Sequence, residues 1–345
     1  MKYAQVGPIA IHLPERVETN DHLAALFPKW DLDLIYSKTG IRSRHIAAPD
    51  ECASDLGVAA AEKLFTTCGV ERDSIDFLLF CTQTPDYPLP TTACVVQSRL
   101  GLPTTIGALD FNLGCSGFVY GLSLADGLIR SGAARRVLFI TAETYSKYIH
   151  PEDRSLRTIF GDGAAATLIE ASDTSSLSAF VFGTDGSAGD TLMVNSGGAR
   201  SPRDALRPRS KWRWESKLYM DGPGLIKLTL DTVPQMIERV RSDGKVNDED
   251  IDLYLVHQAT HKLLEELRHD MDLNEERMPT ALRDYGNTVS CTIPIIMHQL
   301  RASGRLRRGT RSLLAGFGVG FSWAGCLWTE TWENKAVLTA DLEAA

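Results

Sequence analysis

The stretch Asp110-Phe111-Asn112-Leu113-Gly114-Cys115-Ser116-Gly117-Phe118 decides how the rest of the chain reads. Ahead of it, Thr105-Ile106-Gly107-Ala108-Leu109 is a short apolar segment that reads as a buried strand. Behind it, Val119, Leu122, Leu124, Leu128 and Ile129 fit a helix, ending near Arg130, whose apolar face returns onto that strand. Cys115 therefore stands where a strand breaks into a helix. The unpaired N–H groups and positive dipole end of a first helical turn favour a thiolate, so a lowered pKa and a nucleophilic sulfur are expected there. Gly114 and Gly117 remove bulk, leaving room for a carbonyl to approach the sulfur and for an amide N–H to reach its oxygen. A cysteine in an apolar run is also a common small core residue, and this stretch alone leaves both readings open.

The chain has 345 residues, 43% hydrophobic and 23% charged, enough for two domains or one duplicated one with a sizeable core. A formal net charge of −8 argues against general nucleic-acid binding, which needs a basic face. The one basic cluster, Arg301 to Arg311, reads as a surface helix end and turn. Seven cysteines, odd in number, scattered and mostly in apolar runs, suit a reducing compartment rather than a disulfide framework. No CxxC pair or His/Cys cluster proposes a metal site. The first residues lack a signal-peptide core and no apolar run is long enough to span a bilayer, so a cytoplasmic protein that does not enter membranes is expected.

Outward from the Cys115 stretch the chain repeats itself. Val70, Ile75, Asp76 and Phe80 match Val246, Ile251, Asp252 and Val256 at one separation, each set leading from a polar turn into a buried strand after a helical pattern, at 53–68 and 225–240. Leu113-Gly114-Cys115-Ser116 likewise matches Tyr285-Gly286-Asn287-Thr288, and Ser131-Gly132 matches Ser303-Gly304. Self-similarity of this length predicts two copies of one βαβαβ unit. Residues 1–171 form the first half and 172–331 the second, with 196–216 a long loop and 332–345 a polar tail. Pseudo-symmetry places Cys115 and Asn287 at equivalent helix openings, and Cys81 and His257 at equivalent strand ends. If the halves pack about a local two-fold, Cys115, His257 and Asn287 share one floor.

Thr39-Gly40-Ile41-Arg42, Gly114-Cys115-Ser116-Gly117, Phe160-Gly161-Asp162-Gly163-Ala164, Val256-His257-Gln258-Ala259, Tyr285-Gly286-Asn287-Thr288 and Gly316-Phe317-Gly318-Val319-Gly320-Phe321 occur in this order. With these motifs the chain, from about residue 3 to about residue 330, resembles the thiolase superfamily, and within it β-ketoacyl-acyl-carrier-protein synthase III. The resemblance implies an α/β chain with a five-layered αβαβα fold of two duplicated halves, normally a homodimer. It implies Cys115 as acyl-accepting nucleophile, with His257 and Asn287 hydrogen-bonding a malonyl thioester oxygen as carbon dioxide leaves. The oxyanion hole would be the backbone N–H groups of Cys115 and Val319. A thiolate and a thioester exchange readily because both sulfurs are leaving groups of similar basicity. A neutral imidazole and a carboxamide supply the two donors an enolate needs, and the chemistry calls for no metal or redox cofactor.

The same resemblance marks departures. The Trp and Arg that clamp coenzyme A in familiar members fall at Leu34 and Lys38, which have no π face and no planar guanidinium, so that clamp is not expected and the acyl donor is acyl-CoA or an acyl carrier protein. Thr260 stands where the family has Asn, and Val319 where it has Gly. Lys227 and Lys262 fall near positions that meet the acidic carrier protein. Leu89 falls where the partner subunit caps the acyl pocket, and Phe317 lies in the glycine-rich strand beside the site. The leading expectation is decarboxylative Claisen condensation with malonyl-acyl-carrier protein. The alternative keeps the nucleophile and passes its acyl group, without decarboxylation, to an alcohol or amine of a secondary metabolite or glycan. A degradative thiolase is disfavoured because Gly316 to Gly320 holds no second Cys. A non-catalytic partner is disfavoured because Cys115 is present.

Overall fold

A computed structural model describes residues 2–202, 214 and 216–333. Most of the tail expected from residue 332 and much of the loop expected at 196–216 thus lie outside the described residues. Nine strands form the two main sheets, numbered here in chain order: β1 Tyr3–His12, β2 Phe77–Cys81, β3 Gly107–Phe111, β4 Arg136–Glu143, β5 Gly163–Ser172, β6 Leu177–Thr184, β7 Leu253–Val256, β8 Arg311–Gly318 and β9 Ser322–Thr329. The first sheet has the order β1-β5-β4-β2-β3 and the second β7-β8-β9-β6. In each, the strands that carry the repeated Ile-Asp motif run parallel to the strand that follows the central helix, β2 to β4 and β7 to β8, and the remaining contacts to β5 and β9 are antiparallel.

Among the described residues these helices complete the layers: α1 Ala53–Cys68, α2 Thr92–Arg99, α3 Gly117–Arg130, α4 Gly222–Gly244, α5 His261–Asp270 and α6 Thr292–Ala302. Helices α3 and α6 pack between the sheets, α3 touching both and α6 touching β1 and β5 on one side and β7 on the other. Helix α1 covers the outer face of the first sheet and α4 that of the second. The central layer is apolar on the two faces its helices turn to the sheets and to each other. Phe118, Val119, Leu122, Ala125 and Ile129 from α3 meet Ile293, Ile296, Met297 and Leu300 from α6, with Leu79, Phe139, Leu255 and Leu314 of the sheets. Of the apolar face expected for α3, Leu124 departs. At 100° per residue it falls off the stripe set by Leu122 and Ile129, and it is exposed.

The duplicated motif performs the same task twice. Asp76 N–H donates to the carbonyl of Arg136 at 2.9 Å, and Arg136 N–H returns a bond to Asp76 Oδ2 at 2.8 Å. Asp252 and Arg311 make the same pair of bonds at 2.8 and 2.8 Å. Each Asp thus fixes the register at which β4 or β8 enters its sheet.

The copies differ in two places. The second half has no counterpart of β3: the equivalent segment begins at Pro279, which has no N–H to offer a ladder, and Ala281 N–H goes instead to Gln258 Oε1 at 2.8 Å. Asn287 also does not open its helix as Cys115 does. A single tight turn, Val289–Cys291, intervenes before α6 begins at Thr292. Arg301, read from sequence as part of a surface turn, is instead half-buried and paired with buried Glu330, with Nε to Oε2 at 2.7 Å and a further bond to the carbonyl of Gly7. Its guanidinium also stacks on Trp332, the first residue of the expected tail.

Because the two Asp carboxylates hold equivalent registers, Asp76→Ala and Asp252→Ala each lower the unfolding free energy by roughly 1.5 kcal/mol in urea titrations. A loss at one position with none at the other would contradict their equivalence.

Candidate active site

Strand β8 passes directly over the turn that carries Cys115. A Cβ on Gly316 would stand 2.6 Å from the Cys115 carbonyl oxygen, and one on Gly318 would stand 3.1 Å from both Cβ and Sγ of Cys115. At Gly316 the clash is with backbone and no side chain larger than hydrogen fits, while at Gly318 a Cβ would press on the Cys115 side chain and displace it by a few tenths of an ångström. Just beyond this contact, Ser322 Oγ donates to the carbonyl of Val319 at 2.8 Å and lies 2.8 Å from Ser116 Oγ, so the Ser116 hydroxyl donates to it. The N–H groups of Cys115 and Val319 donate to no backbone carbonyl among the described residues. They are the two N–H groups that the expected oxyanion hole names.

His257 follows β7 and Asn287 follows the segment equivalent to β3. Both are buried and both line, with Cys115, one cavity of about 180 Å³. The main chain of Asn287 is gripped by the first half, its N–H donating to Ile159 at 2.9 Å and its carbonyl accepting from Gly161 at 3.0 Å. The Phe160-Gly161-Asp162 motif holds this joint, because the Asp162 carboxylate accepts from Ala47 N–H at 2.8 Å and Ser146 N–H at 2.9 Å. The side chain of Asn287 is set by its neighbour. Val289, a β-branched residue at φ 56°, occupies the left-handed region at a cost of roughly 1–3 kcal/mol, and so aims its N–H at Asn287 Oδ1, 2.9 Å away. With Oδ1 taken by a donor, the Nδ2 amide is left without a protein partner among the described residues.

His257 Nδ1 lies 2.8 Å from Thr292 Oγ1, and the ring meets Phe317 edge to face with centroids 5.4 Å apart. Thr292 Oγ1 also lies 3.2 Å from the carbonyl of Val289. Its single proton goes either to that carbonyl, leaving Nδ1 protonated and Nε2 an acceptor, or to Nδ1, leaving Nε2–H a donor. Burial lowers the His257 pKa to about 3, so the ring is neutral at physiological pH.

The sulfur does not show the lowered pKa expected from its place at a helix start. Burial first, and then the carboxyl of Glu143, push the Cys115 thiol well above the ordinary thiol range. Desolvation of the charged form outweighs the helix terminus, and the resting site is a neutral thiol beside a neutral imidazole. Glu143, at the end of β4, is itself fully buried. It accepts from Gln83 N–H at 3.0 Å, Ser290 Oγ at 2.8 Å and Thr84 Oγ1 at 3.4 Å, and burial raises its pKa to about 8. Neither Thr292 nor Glu143 stands out by motif; an acidic residue closing the apolar run of β4 was the available signal for the second.

Of the other sequence-stretch expectations, Phe317 and Thr260 line the same cavity, Thr260 also capping α5 through the N–H of Leu263 at 3.4 Å. Lys227 and Lys262 are exposed and adjoin in sequence the cavity-lining Ile226 and Leu263, and Lys262 lies 3.6 Å from the Glu266 carboxylate. Leu34 and Lys38 are not brought to the cavity. They sit on the helix Leu32–Thr39, where Leu34 is 51% exposed, and that helix packs on α5 rather than over the sulfur. Leu89 is 85% exposed, outside the cavity of its own chain.

A buried thiol from one half of a duplicated, layered α/β chain, sharing a cavity with an imidazole and a carboxamide from the other half, defines a thiolase-fold protein. Residues 109–186 match the family described as 3-oxoacyl-[acyl-carrier-protein] synthase III, and residues 242–329 match its C-terminal domain. A β-ketoacyl-[acyl-carrier-protein] synthase III of a Roseiflexus species is 35% identical over 331 residues, covering 95% of this chain and 99% of that one. A crystal structure of a 3-oxoacyl-(acyl-carrier-protein) synthase III superposes with a TM-score of 0.91 at 49% identity, over 95% of this chain and 99% of the other. That of a 3-oxoacyl-(acyl-carrier-protein) synthase from Burkholderia xenovorans LB400 gives a TM-score of 0.90 at 34% identity, over 96% and 95%. The chain belongs to the β-ketoacyl-acyl-carrier-protein synthase III family.

The buried carboxyl gives a pH prediction. Glu143 binds its proton more tightly folded than unfolded, so its contribution to stability is present below its ordinary range and is lost as pH rises towards 8. His257, depressed to about 3, acts oppositely, but only below pH 6.5. Between pH 6.5 and 8 stability therefore falls, by at most about 1.4 kcal/mol per pH unit, and Glu143→Gln flattens that fall in chemical denaturation. An unchanged slope in the variant would contradict the assignment.

Proposed function

We propose that this chain is an acyl-transferring condensing enzyme in which Cys115 carries the acyl group and His257 and Asn287 generate the nucleophile that removes it. The observation that carries this reading is the single cavity lined by the thiol and by both unpaired donors. In the first step the Cys115 thiol gives its proton to His257 Nε2, the sulfur attacks the thioester carbonyl of an acyl-CoA or acyl-carrier donor, and the N–H groups of Cys115 and Val319 receive the oxyanion. The donor's C–S bond breaks and its thiolate takes the proton from His257. In the second, the thioester oxygen of malonyl-acyl-carrier protein accepts from His257 Nε2–H and Asn287 Nδ2–H. The electrons of the bond to the carboxylate pass into an enolate as carbon dioxide leaves. The enolate carbon attacks the acyl-Cys115 carbonyl, the C–S bond breaks, and the Cys115 thiolate takes one proton from water, releasing a β-ketoacyl thioester. These steps need no metal or redox cofactor.

The first step needs Nε2 as an acceptor and the second needs it as a donor, so between them the ring changes tautomer: Nδ1 gives its proton to water, Nε2 takes one from water, and the Thr292 hydroxyl turns from the Val289 carbonyl to donate to Nδ1. Two donors converging on one oxygen suit an enolate. With the condensing-enzyme names of the relatives, this favours condensation over transfer to an alcohol or amine. Exposed Lys227 and Lys262, next in sequence to cavity-lining residues, suit an acidic carrier protein. The free edge of β3, with Leu109 45% exposed on it, suits pairing with a second copy, whose Leu89 would then reach the cavity. A cytoplasmic setting fits the free thiols; no helix among the described residues is long and apolar enough to cross a membrane.

The half-reactions separate the roles. Cys115→Ala accepts no acyl mass yet still decarboxylates malonyl-acyl-carrier protein. His257→Ala and Asn287→Ala still take up acyl mass but lose decarboxylation by about two to three orders of magnitude. Thr292→Val lowers both rates by roughly tenfold, and Thr292→Ser restores them. Decarboxylation at an undiminished rate in the His257 and Asn287 variants would overturn the assignment.

A further inference from the structure

Beside the cavity that holds Cys115 lies a larger one of about 890 Å³, and Tyr145 and Leu192 line both. If His257 and Asn287 mark the side of the sulfur on which the malonyl arm lies, a chain attached to Cys115 has to leave in another direction, and this second cavity is the space on offer. Its lining is not that of a plain alkyl pocket. Gln83, immediately after β2, folds back over the nucleophile's turn, where a Cβ on Gly114 would collide with its Oε1. Tyr145, buried, donates its hydroxyl to that Oε1 at 2.7 Å, and Glu143 holds the Gln83 backbone in place. With Oε1 occupied, Gln83 Nε2 has no protein partner among the described residues. Turning the amide over would only hand the unused donor to the Tyr145 hydroxyl. In either arrangement one neutral hydrogen-bond donor of this pair lines the cavity next to the acylated sulfur.

A hydrocarbon chain seated there would separate that donor from water without replacing its partner, whereas an oxygen atom on the chain would satisfy it. The lining also selects the kind of oxygen. Among the described residues it contains no Lys or Arg and does contain Asp86, which suits an uncharged group rather than a carboxylate.

We propose that Gln83 and Tyr145 are specificity-determining residues that select a short acyl group bearing a neutral oxygen, a hydroxyl or keto group, over its alkyl counterpart. The inference rests on the acyl-Cys115 reading above. The transfer it modulates is the one already balanced there: the Cys115 Sγ–C bond forms, the donor's C–S bond breaks, and the thiol proton passes to the departing sulfur.

The test is the rate of Cys115 acylation, followed by intact-protein mass spectrometry of the full chain, with isosteric pairs of coenzyme A thioesters. 3-Hydroxybutanoyl is set against 3-methylbutanoyl, and 4-hydroxybutanoyl against pentanoyl, with acetyl-CoA as a common reference. The expected result is that in at least one pair the wild-type protein takes the oxygenated member about five- to tenfold faster, and that Gln83→Met combined with Tyr145→Phe brings that ratio to about one. Equal or faster acylation by the alkyl member in both pairs of the wild type overturns the inference, as does a ratio that survives the double variant. If acetyl-CoA acylates Cys115 and none of the four longer thioesters does, the inference fails while the acyl-enzyme reading stands. If all five acyl groups fail both as coenzyme A thioesters and when presented on acyl carrier protein, both fall.

Discussion

The site depends on one close approach. Strand β8 of the second half lies so near the Cys115–Ser116 turn of the first that a Cβ at Gly316 or Gly318 would strike it, at 2.6 Å from the Cys115 carbonyl oxygen and 3.1 Å from Sγ. That contact brings the Gly318 backbone against the sulfur and lets Ser116 reach Ser322. It also joins the two halves at the point where their chemistry meets. The Asn287 main chain makes a second joint with Ile159 and Gly161. Thiol and donors come from different halves, so these joints, rather than the stability of either half alone, fix their relative placement.

The second constraint is burial. Removing Cys115, His257 and Glu143 from water keeps the thiol and the imidazole neutral and leaves the carboxyl largely protonated at neutral pH. A neutral imidazole serves both as acceptor and as donor, which an imidazolium could not. In the proposed mechanism the thiolate forms only as it attacks, so the polar groups are held ready by hydrogen bonding. Thr292 does this for His257, and the strained Val289 does it for Asn287.

Much of this was legible in the sequence, because the repeat was. Ile75-Asp76 and Ile251-Asp252 keep the same spacing because each Asp pairs with the Arg that opens the neighbouring strand, Asp76 accepting also from Arg135 N–H, and the order of the six motifs located Cys115, His257 and Asn287. What was not legible came from contacts distant along the chain. Thr292 has no motif value until α6 is seen to start beneath His257, and Gln83 and Tyr145 meet only across the end of the first sheet. Arg301 looked solvated until Glu330 was found buried opposite it. The expected thiolate failed for a related reason. A helix start can be read locally, but the depth at which it is buried cannot. The missing counterpart of β3 was written in Pro279, a residue that strand periodicity alone does not flag.

The account's central claim is that thiol and donor pair act on one pair of substrates in one cavity, and a single-turnover measurement tests it most directly. Protein carrying one acyl group on Cys115, freed of excess donor, is mixed with malonyl-acyl-carrier protein, and the acyl mass, released carbon dioxide and β-ketoacyl product are followed together. The account predicts loss of the acyl mass with carbon dioxide and β-ketoacyl product formed one for one. Carbon dioxide released while the acyl group stays on Cys115, or an acyl group discharged only by an alcohol or amine, would contradict it.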